Sequence, residues 1–317
     1  MFQLVQRRRW YFLLSACIII PGLLVMLYAT VTSGLPFQLS IDFTGGSLWV
    51  LQFDRPVLPG ALRATLAGEG FPNSDVTTVG NDRTLQVKLA PLDEHQRAAL
   101  LKAIESEFGD NRVTTLEFSA TKAAIGKEVT LAAILAIAAA SVVILGFMVL
   151  AFRKVQNPVR YGTVAIVAML HDLLLTMGVF AVCSLLLGWQ ADALTLTALL
   201  TVVSFSMQDK IVVFDRIREN APKYRGEPLS AIANRSVLET IHRSLATQLN
   251  AIFVMVAILL FGGPTIKQFI ATMLVGLLSG TYSSIFIAVP LLVAWEERSL
   301  LGKRLPKAEV AGATANS

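Results

Sequence analysis

Residues 40–49 read "SIDFTGGSLW" and mark the point at which the chain changes character. A long apolar stretch ends just before them, and a β-rich, water-soluble segment follows. Gly45 and Gly46 allow backbone geometry closed to other residues, or the close approach of another chain segment. Asp42 is suited to bind the amides of its own turn. Because a lone carboxylate without a second acid or a metal is poorly equipped for catalysis, we interpret the stretch as a junction between membrane and domain.

The composition around this junction indicates an integral membrane protein. Hydrophobic residues make up 54% of the 317 residues and charged residues 15%, whereas a soluble domain usually carries about 25% charged residues. The mean hydropathy is +0.62. Cys17 and Cys183 both fall in apolar stretches, which indicates packing residues and no disulfide framework.

Several apolar stretches are long enough to cross a bilayer, since a span needs about 20 residues. The six predicted spans are residues 11–31, 129–152, 160–187, 193–214, 245–262 and 268–294. The first follows "QRRRW" and exceeds the usual apolar region of a signal peptide, so we expect an uncleaved anchor.

The basic residues of the short connections predict the orientation of the spans. The connections after the third and fifth spans hold one basic residue, Lys267, and the others are rich in Lys and Arg. Both termini are therefore expected in the cytoplasm. This reading of the basic residues leaves no need for a nucleic-acid partner. The basic residues on that side are Arg7, Arg8, Arg9, Arg153, Lys154, Arg160, Arg216, Arg218, Lys223, Arg225, Arg235, Arg298, Lys303, Arg304 and Lys307.

The chain then divides into four regions. We expect residues 1–31 to form the cytoplasmic N-terminus and first span, and residues 32–128 to form a periplasmic domain. Residues 129–294 are expected to form the other five spans and residues 295–317 a basic cytoplasmic tail.

The pattern of residues 32–128 reads strand, helix, strand, strand, helix, strand. "SLWVLQF" and "RVTTLEF" are predicted as the first and last strands, and "LDEHQRAALLKAIESEFG" as the second helix. The order βαββαβ predicts a ferredoxin-like α+β sandwich. Because no catalytic set emerges, we expect a binding or lever module rather than an enzyme.

Ionisable residues inside spans are costly and usually serve pathways or ion pairs. At about 1.5 Å per helical residue, Asp209 lies roughly 25 Å from the outer end of the fourth span, and Arg243 roughly 27 Å from that of the fifth. If these helices are neighbours, the two residues can pair. A carboxylate facing an Arg suits proton coupling; the alternative is a static buried pair that fixes helix positions. The ionisable residues of the third to fifth spans and their edges are His171, Asp172, Asp209, Lys210, Glu239, His242 and Arg243.

Small and polar residues at helical spacing accompany these charges. Ser206 shares a helix face with Asp209, and the fifth span carries a polar stripe that suits a hydrated path or helix contacts. That stripe consists of Thr240, Arg243, Thr247 and Asn250. In the sixth span, small residues recur every four positions, which predicts close helix packing. They are Thr272, Gly276, Gly280 and Ser284.

With these motifs in view, the chain resembles the SecF family of bacterial membrane proteins over nearly its whole length. "IDFTGGS" is similar to the junction signature of the family, and "MLHDLLL" to its third span. "VVFDRIREN" resembles the end of the fourth-span motif, and "FGG" and "GTYSSIFIAVPLL" resemble the last two spans.

The resemblance implies a subunit that pairs with SecD in the resistance–nodulation–division superfamily and works with the SecYEG translocon on translocating preproteins. It implies coupling to the proton gradient, with protons and no other cofactor, and proton-pathway roles for Asp209 and Arg243. The family reads Asn-Asp-Thr where this chain has Gln208, Asp209 and Lys210. It also reads Gln where this chain has Glu239. We hypothesise that Lys210 and Glu239 form a compensating pair.

Other functions remain open at this point. A proton-coupled exporter of lipids or small molecules belongs to the same superfamily, and a non-conducting translocon scaffold would share the fold. An intramembrane hydrolase built on His171 and Asp172 lacks a nucleophile, because Cys183 lies farther along the same helix.

Overall fold

The computed structural model describes residues 5–72, 74–121, 123–153, 155 and 157–296. Within these residues, six helices are long and apolar enough to cross a membrane, which confirms the predicted number of spans. Lys154 and the tail from residue 297 onward, with its basic residues, lie outside the described part of the chain.

The first span is α1 (Arg8–Ser33), and a short helix, α2 (Ile41–Thr44), leads into a small α+β domain. The strands of this domain are β1 (Gly46–Phe53), β2 (Asp75–Thr78), β3 (Thr84–Leu89) and β4 (Val113–Thr121). Helix α3 (Pro59–Gly68) follows β1, and α4 (Glu94–Phe108) follows β3. The strand order is β2-β3-β1-β4, and each pair of neighbouring strands is antiparallel.

One face of the sheet forms the core of the domain. Trp49, Leu51 and Phe53 alternate along β1 and are buried with Leu62 and Leu66 of α3, because successive side chains of a strand point to opposite faces. At the start of α4, Asp93 and Gln96 form a reciprocal capping box, which satisfies free N–H groups of the first turn.

The remaining spans follow the domain. They are α5 (Ala123–Ala151), α6 (Pro158–Leu187), α7 (Ala193–Asn220) and α8 (Leu229–Phe261). The last span consists of α9 (Pro264–Ser283), a π-helical segment (Ser284–Ala288) and α10 (Val289–Glu296).

Helices α7 and α8 are longer than the predicted spans 193–214 and 245–262. Their additional turns stay helical because Ile217 of α7 and Ala233 and Val237 of α8 are buried in the main apolar cluster. An apolar run therefore measures only the part of a helix with apolar surroundings on all sides, and it misses the amphipathic turns beyond.

Helix α7 packs against α6, α8 and α9. Small residues allow the approach of α9: a Cβ on Gly276 would lie 2.9 Å from the Cβ of Val202, and a Cβ on Gly280 would lie 3.1 Å from the Cα of Ser206. Thr272 and Ser284 are also buried. The backbone of α9 thus lies directly against the segment of α7 that carries Ser206, and no larger side chain fits between them.

The junction quoted above is attached to the loop between α6 and α7 (residues 188–192). Leu39 forms a parallel β-bridge with Ala191, and the Asp42 Oδ2 accepts a hydrogen bond from the Ala193 N–H at 2.9 Å. This differs from the expected binding of Asp42 to its own turn, where the Ser40 side chain accepts from the Asp42 N–H instead. The carboxylate reaches α7 because the first N–H groups of a helix lack partners within the helix and favour negative charge.

Both glycines of the junction have positive φ, +74° at Gly45 and +138° at Gly46. A Cβ on Gly46 would lie 2.8 Å from the carbonyl oxygen of Leu89, so the chain also approaches β3 closely here. Next to this contact, the Lys88 ammonium donates to the side chain of Gln190 in the loop between α6 and α7. Burial lowers the pKa of Lys88, and the negative charges of Asp75 and Asp192 oppose that shift.

The contact of α9 with α7 predicts the effect of a small substitution. We expect Gly276→Ala to destabilise the protein by about 1–3 kcal/mol, because a β-branched Val202 cannot rotate away from the added methyl group. Gly146→Ala in α5 is the control, since nothing lies within 4 Å of its Cβ position. Thermal unfolding in detergent measures both. Val202→Ala should restore the stability of Gly276→Ala, and equal melting temperatures of Gly276→Ala and the parent would contradict the packing.

Candidate functional site

Asp172 of α6 lies at the centre of a buried polar network, with a side chain that is 0% exposed. Its Oδ2 accepts hydrogen bonds from Ser206 of α7 at 2.7 Å and from Ser283 of α9 at 2.6 Å. Its Oδ1 accepts from Ser279 of α9 at 2.8 Å. Two other spans therefore supply three hydroxyl groups to one carboxylate, which compensates for the water that this anion has lost.

Lys210 of α7 provides the opposite charge. Its Nζ lies 2.7 Å from the Asp172 Oδ2, and both side chains are 0% exposed. The ammonium also donates to the backbone carbonyl of Ser206 at 2.7 Å and to the Ser206 Oγ at 2.6 Å. All three N–H groups of the ammonium thus have acceptors, as a buried ion pair requires.

His171 connects this network to the first span. Its Nδ1 lies 3.1 Å from the Asp172 Oδ1, and its Nε2 is hydrogen-bonded to the Oγ of Ser15 in α1. The His171 side chain is 14% exposed, in contrast to the fully buried Asp172. The imidazole therefore lies between the buried carboxylate and the edge of the helix bundle.

Asp209 of α7 has a different partner from the predicted one. Its Oδ2 accepts a hydrogen bond from the Nε2 of Gln248 in α8 at 2.7 Å, whereas Arg243 of α8 is exposed. No ion pair between Asp209 and Arg243 is present among the described residues. Helices α7 and α8 are neighbours, as the predicted pairing of Asp209 with Arg243 required. The rotation of the helices about their axes, however, places Gln248 rather than Arg243 against the Asp209 carboxylate.

The predicted pair of Lys210 and Glu239 is wrong. Lys210 binds Asp172, and Glu239 accepts hydrogen bonds from the Nε of Arg216 at 2.5 Å and from the Nδ2 of Asn220 at 2.9 Å. Glu239 of α8 is too far along the bundle to meet Lys210, because its partners Arg216 and Asn220 lie roughly 9–15 Å beyond Lys210 on α7 at 1.5 Å per residue.

The predicted polar stripe of α8 separates into two parts. The Thr240 hydroxyl is buried and donates to the backbone carbonyl of Ser236. Arg243, Thr247 and Asn250 are exposed, and the Thr247 hydroxyl donates to the carbonyl of Arg243. The exposed part therefore lies on a helix face that this chain does not cover.

Several residues of the network were missed in the sequence. Ser279 and Ser283 lie four positions apart on α9, and this spacing places them on one helix face. That signal was available beside the small-residue row of the same helix. Gln248 and Ser15 gave no comparable signal, since isolated polar residues in apolar spans occur for many reasons.

The network has the chemistry of a proton carrier. A proton transfer from Lys210 to the Asp172 carboxylate crosses a single hydrogen bond and turns an ion pair into a neutral pair. Serine hydroxyls donate in one state and accept in the other, because the hydroxyl hydrogen rotates. Within the described residues, no group of three or more His, Cys, Asp or Glu side chains could hold a metal ion.

The comparisons with known proteins agree with this architecture. Residues 101–298 match the family described as "Protein export membrane protein SecD/SecF, C-terminal", and residues 31–57 match the "SecD/SecF GG Motif". The second match contains the junction with Asp42, Gly45 and Gly46.

Two relatives named "Protein translocase subunit SecF" match over nearly their whole length. The protein from Anaerolinea thermophila is 45% identical over 299 residues, which cover 93% of this chain and 94% of the relative. The protein from Thermobaculum terrenum is 42% identical over 312 residues, which cover 95% and 96%.

Two solved structures share the fold. The crystal structure of SecDF from Thermus thermophilus has a TM-score of 0.77 and 32% identity, and the match covers 94% of this chain. SecDF in its super-membrane-facing form has a TM-score of 0.62 and 29% identity over 98% of this chain. The matches cover 39% and 40% of those two longer chains. This chain is therefore a multi-pass membrane protein that belongs to the SecD/SecF family of protein-export membrane proteins.

Proposed function

We propose that the chain is an accessory subunit of the Sec protein-export machinery that uses the proton gradient to promote preprotein translocation across the cytoplasmic membrane. The observation that carries the coupling is the ion pair of Asp172 and Lys210, on two separate spans and 0% exposed on both sides. A buried ion pair costs free energy that apolar residues of similar volume would not cost, so its presence favours a functional role.

Protons are the proposed coupling ion, and no other cofactor is required. Asp172 and Asp209 are the proposed carriers; Lys210 binds Asp172 and directly follows Asp209 on α7. Arg243 enters this scheme if α8 rotates, because it lies on the same helix as the present partner of Asp209. His171, Ser206 and Thr240 are proposed to line the path. The exposed Thr247 would join it only at a contact with another subunit.

A SecD protein is the proposed partner within the membrane. The shares of α1, α5 and α8 that are buried inside this chain are only 11%, 6% and 17% of their most apolar segments, and the related SecDF chains are more than twice as long. A second half that covers these helices would also cover the exposed polar residues of α8. The SecYEG translocon and the translocating preprotein are the further proposed partners.

The proposed orientation follows from the basic residues. Arg216, Arg218 and Arg235 lie at the ends of α7 and α8 opposite the α+β domain, and such residues favour the cytoplasmic side. Both termini are then cytoplasmic, and residues 32–128 face the periplasm. The strand order and antiparallel pairing support the assignment of this domain to the ferredoxin-like class. We propose no covalent catalysis in either part.

A static scaffold is the second candidate, because the many hydrogen bonds of Asp172 also suit an ion pair that only fixes helix positions. This candidate predicts export that is independent of proton exchange at Asp172 and Asp209.

Export in cells tests the proposal. Cells depleted of their own SecF should recover preprotein export when they receive this chain with its matching SecD. Asp172→Asn should lower export by about tenfold or more, because loss of one partner leaves an unpaired buried charge, and Asp209→Asn should also lower it. Asp82→Asn, on an exposed turn of the α+β domain, is the control. Full export by both span variants at equal protein levels would favour the scaffold.

A double substitution separates coupling from support. Asp172→Asn and Lys210→Met should each destabilise the protein by about 3–5 kcal/mol, and the double variant should recover most of that stability. If the pair exchanges protons, the stable double variant should still fail in export and in proton uptake by vesicles. Thermal unfolding and export assays measure the two effects. Export by the double variant at the parent rate would contradict the coupling role.

A further inference from the structure

The α+β domain and its junction segment (residues 38–42) contact the loop between α6 and α7 and the first residue of α7. Helix α7 carries Ser206, Asp209 and Lys210. We propose that Asp42 is a positioning residue, which transmits displacement of the α+β domain to α7 and thereby changes the contact of Lys210 with Asp172.

Three separate contacts join the domain side to α7 and its loop. The Asp42 Oδ2 accepts from the Ala193 N–H at 2.9 Å. Next to it, the Ser40 N–H donates to the Ala191 carbonyl and the Ala191 N–H donates to the Gln38 carbonyl, both at 2.8 Å. The third contact joins Lys88 of β3 to Gln190. The junction also contacts α6, since the Gln38 N–H donates to the Ser184 Oγ at 3.0 Å.

The Asp42 contact is not needed to keep α7 helical. Asp192 already caps this helix, since its Oδ1 accepts hydrogen bonds from the Thr195 N–H and from the Thr195 hydroxyl, both at 2.7 Å. A helix with a complete local cap gains a second carboxylate from a distant segment. The second contact therefore serves the connection between domain and helix more than the helix itself.

A small displacement is sufficient for this mechanism. The Lys210 Nζ lies 2.7 Å from the Asp172 Oδ2, and a hydrogen bond is lost beyond about 3.5 Å. Because a helix moves as a rigid element, a shift of about 1 Å along α7 changes the Lys210 contact, and shifts of about 1–2 Å are common in conformational transitions. Asp172 lies on α6, so any shift of α7 relative to α6 changes this contact.

Two substitutions at Asp42 isolate the contact. Asp42→Leu removes the acceptor, whereas Asp42→Asn keeps a side-chain oxygen for the Ala193 N–H. Asp82→Leu controls for the loss of a carboxylate elsewhere in the same domain, where the side chain is exposed. All variants are made in the complete chain in complex with SecD.

The first measurement is a distance between spin labels at Val159 and Glu219, near the free ends of α6 and α7, with Cys17 and Cys183 replaced by Ala. Both labelled positions are exposed. Asp42→Leu should shift or broaden the distance by roughly 2 Å, the size of a typical helix shift. Asp42→Asn and Asp82→Leu should match the parent. An unchanged distance in Asp42→Leu would overturn the proposal.

The second measurement compares proton uptake with preprotein export, and it rests on the proposed function. Asp42→Leu should lower export by about fivefold while proton uptake stays within about twofold of the parent, and Asp42→Asn should restore the parent ratio. Equal loss of both activities would show simple damage and overturn the proposal. If Asp42→Leu does not accumulate in cells, Lys88→Met replaces it, because this change removes the contact of the domain with Gln190. The same results are then expected, and the same result would overturn the proposal. If the parent chain itself fails in export, the proposed function is wrong, and the label distance still tests Asp42.

Discussion

A carboxylate and an ammonium that are both withdrawn from water must receive hydrogen-bond partners from the protein. For Asp172 and Lys210, those partners come from α7 and α9 in addition to α6. Ser279 and Ser283 reach the carboxylate only if α9 lies close to α6 and α7. Gly276 and Gly280 allow that approach. The small residues of α9 are therefore needed for its serine hydroxyl groups to reach Asp172.

Lys210 gives this chain a distribution of charge different from that expected for the Asn-Asp-Thr pattern of the resembled family. A residue with a hydroxyl group at this position would leave Asp172 with neutral donors. The ammonium instead neutralises Asp172 within a single subunit, and Asp209, the residue before Lys210 on the same helix, has a neutral amide partner, Gln248. Two carboxylates on neighbouring helices thus have unequal surroundings, one with an ammonium and one with an amide.

The sequence predicted the spans and the strand and helix order because these depend on local hydrophobic periodicity. The polar residues that matter were also visible, since a charge in an apolar span is rare. Their pairing was not predictable, because depth along a helix is set by residue number, whereas the face that meets a neighbour depends on helix rotation. Arg243 and Gln248 lie little more than one turn apart on α8, and only packing decides which of them faces Asp209. The reach of Asp42 to Ala193 depends in the same way on tertiary structure.

The hydrogen bond from Ala193 to Asp42 joins residues that are 151 positions apart in the chain. Since chains are made from the N-terminus, the carboxylate is already synthesised, together with the whole α+β domain, when α7 leaves the ribosome. The acceptor of the Ala193 N–H is thus synthesised before its donor. This long-range hydrogen bond can form only after the fourth span has been made, so the assembly of the junction proceeds from the α+β domain to the later helices.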